Sequence, residues 1–216
     1  MKKQDITIGL KSKTGRAIAV ALGGPASSPE FIIRKEVLLY DSRRPATMQP
    51  FHEVMELPWS EGLVAVQPAI EAIEEIATAS LAALIEELRS RGCRVAAVAI
   101  VGPADRKLER IGSPHIRAHA AEGVLFRRVL EVAAKANRCR SRSFVDPAAE
   151  LKAPPNKVTK VIAALGKNAG SPWRSDEKSA AMAAWAAMRP SSGLRPPSPR
   201  KRGEGSHARS LAPRSG

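Results

Sequence analysis

The chain has 216 residues, of which 44% are hydrophobic, 26% charged and only 4% aromatic, and its formal net charge is +14. That composition excludes a low-complexity or fibrous chain and supports one well-packed domain with appendages rather than two full cores. The basic balance favours polyanions over acidic partners, and the scarcity of Phe, Trp and Tyr argues against a platform that stacks single-stranded bases.

Two cysteines, Cys93 and Cys139, lie outside any CxxC or Cys/His metal spacing, which fits a reducing compartment. The opening "MKK" precedes apolar residues, but Lys11, Lys13 and Arg16 interrupt them and "AIAVALGG" is too short to span a bilayer. The expectation is a cytoplasmic protein with no membrane segment.

Along the chain, "ITIGL", "RAIAVAL" and "FIIRKEVLLY" read as three sequential strands, joined by the turn "KSKTG" and the break "GGPASSP". Short loops between them predict an antiparallel meander. From Asp41 to Gln67 three prolines and no periodicity predict a long loop, in which His52 reads as a surface histidine. Pro68 opens a helix with Ile70, Ile73, Ala77, Leu81, Leu84, Ile85 and Leu88 on one face. Its acids Glu71, Glu74 and Glu75 come early, Arg89 and Arg91 come late, and Gly92 ends it, as the helix dipole and C-cap rules require.

"RVAAVAIV", Arg94 to Val101, is an almost unbroken apolar run and predicts a strand buried on both faces. A second helix starts at Pro114 with Ser113 as its cap and runs through Leu125, Val129, Val132 and Ala133 to about Asn137. "SRSFVD" predicts a fifth short strand ending at Asp146 and Pro147. "NKVTKVIAALG" predicts a short basic helix, and "SDEKSAAMAAWAAM" an alanine-rich one capped by Ser175, with Trp173 and Trp185 as packing residues. Residues 189–216 hold seven Lys and Arg against one Glu, so +6 of the +14 resides there, in a Pro/Ser/Gly/Arg-rich stretch with almost nothing to bury. The expected organisation is therefore a domain over 1–188 and a disordered basic tail. The tail reads either as an arm for nucleic acid or as a segment without function, the second being preferred.

The order β-β-β-α-β-α-β-α resembles the ribonuclease H-like superfamily, in particular the branch of the Holliday-junction resolvases and their bacterial relatives of the YqgF type. Three places over residues 5–188 carry the resemblance. "IGLKSKTGRAIAV" is similar to that branch's first hairpin, "VAIVGPAD" to its strand ending in "vvGlP", and "FVDPAAELKA" with "SDEKSAAMAAW" to its "vDE" strand end and last helix. The resemblance implies an α/β fold with a mixed sheet of about five strands and flanking helices. It also implies a nuclease site in which carboxylates share two divalent ions across the scissile phosphate. Here Lys11 stands where the first-strand Asp is expected, and Pro147 follows Asp146 where a Glu is expected. A lysine pairs with phosphate but does not ligate Mg²⁺. Asp176 or Glu177 occupies the last-helix position, where acids are also ordinary capping residues.

Ligands in open α/β sheets bind at strand C-terminal ends, and that edge is expected to collect Lys11, Asp105, the second helix start, Asp146 and Asp176. In "SPHIRAHAAEG", His115, His119 and Glu122 share a helix face and fit a metal by spacing, although HExxH is absent and Arg117 between the histidines opposes a cation. An anion at the helix start, with His115, His119 and Arg117 adding donors, ranks above a metal, and structural histidines are as good a reading as a site. The Lys11, Ser12, Lys13, Thr14 turn is similar to the phosphate-embracing first hairpin of actin-like ATPases, but it is no P-loop, and a polar hairpin tip is the commoner role. The leading expectation is a nucleic-acid or phosphate-ligand binding protein with a degenerate nuclease site, using Lys11, Ser12, Lys13, Thr14, His115 and Arg117. The alternatives are a Mg²⁺- or Mn²⁺-dependent hydrolase with a rearranged set of Asp105, His115, His119, Asp146 and Asp176, and a non-catalytic interaction module.

Overall fold

Alternation in the first three strands and 3.6-residue periodicity in the long helices set the layers that the computed structural model shows. It describes residues 3–188, so the expectation of a disordered 189–216 tail falls outside the described residues. The strands are β1 (Gln4–Lys13), β2 (Arg16–Gly23), β3 (Glu30–Leu38), β4 (Cys93–Val101) and β5 (Ser141–Phe144). The helices are α1 (Pro50–Glu53), α2 (Trp59–Ala65), α3 (Gln67–Ser90), α4 (Pro114–Ala136), α5 (Pro147–Glu150), α6 (Pro155–Ala169) and α7 (Ser175–Ala187). The sheet order is β3-β2-β1-β4-β5, with β1/β2 and β2/β3 antiparallel and β1/β4 and β4/β5 parallel. A three-stranded meander extended by two parallel strands, with helices on both faces, is the ribonuclease H-like arrangement.

The two faces of β1 are covered differently. Ile6, Ile8 and Leu10 enter a core with Ile73, Ala77, Leu81 and Leu88 of α3 and Phe126, Val129, Leu130 and Ala133 of α4. On the opposite face Gly9 meets α7 so closely that a Cβ there would lie 1.9 Å from the Ala180 carbonyl oxygen. A glycine on the strand and Ala180, Ala181, Ala183 and Ala184 on the helix let the two backbones approach, which explains the alanine run. Trp185 is fully buried in this second core and donates its indole N–H to the Ala26 carbonyl at 2.8 Å.

Three local expectations change. The Asp41–Gln67 loop contains a 3₁₀ turn at Pro45–Thr47 and the short helices α1 and α2, which Pro45, Pro50 and Pro58 start rather than prevent. β4 is buried throughout only over Val98–Val101, the stretch that β5 covers; from Arg94 to Ala97 it is exposed or half-buried. Ser175 lies inside α7, whose start is closed instead by Glu177 accepting the Arg174 backbone N–H at 2.8 Å.

Candidate functional site

Parallel pairing fixes the edge at which ligands are expected. Lys11 is the register partner of Val101, and Val101 that of Phe144, so the C-terminal ends of β1, β4 and β5 form one row. The segments carrying Asp105 and Asp146 leave from that row, and Asp176 reaches it from the first turn of α7. Element order alone is enough to put these residues at one edge.

Each acid there already has a partner. Asp176 pairs with Lys13 at 3.2 Å and also acts electrostatically on Lys11. Burial lowers the Lys11 ammonium from its ordinary value, Asp176 opposes that shift, and neighbouring Lys13 adds to it. Asp105 is held by Arg127 and Arg128, Arg127 being only 11% exposed and also bonded to Glu131. Asp146 caps α5, accepting the backbone N–H groups of Ala148 and Ala149 at 2.9 and 3.4 Å. The Ser12 hydroxyl donates to the Val101 carbonyl at 2.9 Å, so its proton is spent on joining β1 to β4. Thr14 is exposed at the hairpin tip beside Gly15, whose φ of +71° makes the turn.

The histidines form a separate cluster at the start of α4. Ser113 caps the helix, its hydroxyl accepting from Ile116 N–H at 3.4 Å. His115 and His119, one turn apart on the same face, meet His52 from α1. Ring centroids are 5.2 Å apart for His52 and His115, 4.3 Å for His52 and His119, and 4.5 Å for His115 and His119. One ligand nitrogen from each lies within 4.8 Å of the other two, and among the described residues this is the group of three fit to share an ion. Glu122, completely buried one turn further on, bonds His52 Nδ1 at 2.7 Å and accepts the His52 backbone N–H at 3.3 Å.

Two expectations about this helix start are corrected. His52, expected at the surface, has a side chain only 16% exposed and is bound to a buried carboxylate. Arg117, expected beside the histidines, places its guanidinium 5.2 Å from the Trp59 ring centroid and donates to the Ile111 carbonyl at 3.2 Å. Positions 115 and 119 share a face that position 117 leaves. Reasoning from sequence misses His52 because more than 60 positions separate it from its partners; a histidine just inside a proline-started turn is a faint signal.

No family model matches this chain, and no curated protein is similar to it. Among solved structures it is similar to Thermus thermophilus RuvC, at 12% identity and a TM-score of 0.47, over 85% of this chain and 93% of that one. It is likewise similar to T. thermophilus RuvC in complex with Holliday junction substrate, at 13% identity and a TM-score of 0.48, over 84% of this chain and 91% of that one. The fold assignment itself rests on strand order and direction, which are those of the ribonuclease H-like fold.

Proposed function

We propose that this protein binds nucleic-acid phosphates at the strand-end edge and does not cleave them by the shared-carboxylate mechanism of ribonuclease H-like nucleases. The observation that carries the reading is the pairing of Asp176 with Lys13 beside Lys11. A lysine pair sits where two divalent ions would need carboxylates, and it neutralises the last-helix acid. Asp105 is paired with arginines and Asp146 caps α5, each through Oδ1, which counts against the rearranged hydrolase set. Mg²⁺ or Mn²⁺ has a role only in that alternative.

Exposed Arg106 and Lys107 follow Asp105 in the loop leaving β4, and with Lys13 and half-buried Lys11 they give the edge several donors for a phosphate backbone. The net charge supports the ligand class. The Holliday junction substrate in the similar RuvC complex suggests a branched DNA to try beside a plain duplex. No helix of the described residues is long and apolar enough to cross a membrane.

The test is fluorescence anisotropy of the full chain with duplex and four-way-junction DNA over a salt series in EDTA. Binding should weaken steeply with salt, and Lys11→Ala with Lys13→Ala should lower the log–log slope by about 2, roughly 0.9 for each phosphate no longer neutralised. Arg117→Ala, whose charge lies over Trp59, should leave the slope unchanged. Salt-independent binding, slopes equal in wild type and the lysine variant, or Mg²⁺-dependent cleavage would each overturn the reading.

A further inference from the structure

We propose that His52, His115 and His119 form a binding site for a divalent transition-metal ion of the zinc class, oriented by the buried carboxylate of Glu122. The site lies at the α1/α4 contact, on the side of the sheet away from α7, and is independent of phosphate binding at the strand ends.

Three imidazoles carry the chemistry. Their ligand nitrogens lie within 4.8 Å of one another, and in a tetrahedral site with bonds of about 2.0–2.1 Å they would stand roughly 3.3 Å apart. Rotation of His115 and His119, both exposed, closes that difference while His52 stays fixed. Glu122 fixes it: with Nδ1 bonded to Oε1, the nitrogen left to His52 is Nε2, which is shut off from solvent and has no hydrogen-bond partner. A buried imidazole nitrogen with nothing to bond is costly, and an ion shared with His115 and His119 satisfies it. The carboxylate–histidine pairing is the arrangement that sets the tautomer and raises the basicity of a metal-bound histidine.

The same carboxylate decides between cation and anion. Glu122 is 0% exposed and its Oε2 has no partner, so an unmet oxygen acceptor lies behind the cluster, while the nearby cation Arg117 is turned to Trp59. A phosphate would find an acceptor where it needs a donor in the first and no help from the second. A metal ion would instead pass positive charge through His52 to Glu122. The positive end of the α4 dipole opposes a cation, but by a factor of only about two to five. All-imidazole ligation favours zinc, nickel or copper over magnesium or calcium, which take oxygen donors. Three protein ligands leave one position open to water or an exogenous group, and the ion would join α1 to α4 across more than 60 residues of sequence.

The experiment uses the full chain made without a histidine tag, stripped with chelator and titrated with Zn²⁺ against a chromophoric competitor, then with Co²⁺. One equivalent of Zn²⁺ should bind, raise the thermal midpoint, and be replaced by Co²⁺ with the visible bands of a four- or five-coordinate nitrogen site. His115→Gln and His119→Gln alter exposed side chains and should each lower affinity at least a hundredfold. Glu122→Gln, which touches no ion, should lower it about 10–100-fold. Substoichiometric Zn²⁺, tight binding by the double His115/His119 variant, or a thiolate spectrum implicating Cys93 or Cys139 would overturn the assignment. So would a thermal shift with inorganic phosphate but none with Zn²⁺.

Discussion

The two faces of the sheet deal with buried polarity in opposite ways. At the strand ends the acids that resemble a nuclease site are paired, Asp176 with Lys13 and Asp105 with Arg127 and Arg128, although Arg127 Nε is buried without a partner. At the start of α4, residues that match no family motif leave His52 Nε2 and Glu122 Oε2 buried and unpaired. Resemblance therefore points to the strand ends, while two of the three buried unpaired side-chain atoms among the described residues lie at the histidines. Pairing of the acids at the strand ends leaves their lysines and arginines to meet an anion, whereas an unsatisfied buried acceptor at the histidines leaves a bond to a cation unmade.

The difference can be sharpened by substitution, beginning with packing. Trp185→Ala on α7 should cost about 3–5 kcal/mol, read from the denaturant midpoint, because a fully buried indole is the largest side chain of a core it shares with small alanines of its own helix. Glu122→Ala at the other face should cost about 1–3 kcal/mol in chelator, since His52 Nδ1 is left buried without its acceptor. A cost as large as that of Trp185 would make the α4 cluster a structural keystone rather than a ligand site.

Lys11→Met should weaken DNA binding without loss of stability. Because the folded protein holds the Lys11 proton less tightly than the unfolded chain, its charged form disfavours folding. That penalty is fully present below the lowered folded value and disappears as pH rises through the ordinary lysine value of 10.5. The variant should thus be as stable as wild type or more so at neutral pH, and the gap should narrow in alkali; thermal melts across pH check both. The smallest effect belongs to His115→Gln in chelator, under about 0.5 kcal/mol for an exposed side chain with no ion to hold.

The α3 and α4 helices are legible in the sequence because their apolar spacing and the Ser113–Pro114 start are local signals. The short helices of the 41–67 segment are not, since Pro50 and Pro58 read equally as loop residues until α4 supplies a surface for α1. Lys11, Asp105, Asp146 and Asp176 reach one edge by element order alone. The occupation of Asp105 is hidden, because Arg127 and Arg128 reach it only through folding, whereas Asp146 before Pro147 caps α5 by a local contact. His52 and Glu122, 70 positions apart, illustrate the same limit: a pair made by tertiary contact has no signature in either local stretch.

The most direct test is a crystal of the full chain soaked in turn with Zn²⁺ and Mn²⁺ and examined by anomalous diffraction. The expected result is a zinc peak between His52, His115 and His119 and no manganese beside Lys11 and Asp176. Manganese bound by Asp176 with Asp105 or Asp146, and nothing at the histidines, would contradict both halves of the comparison.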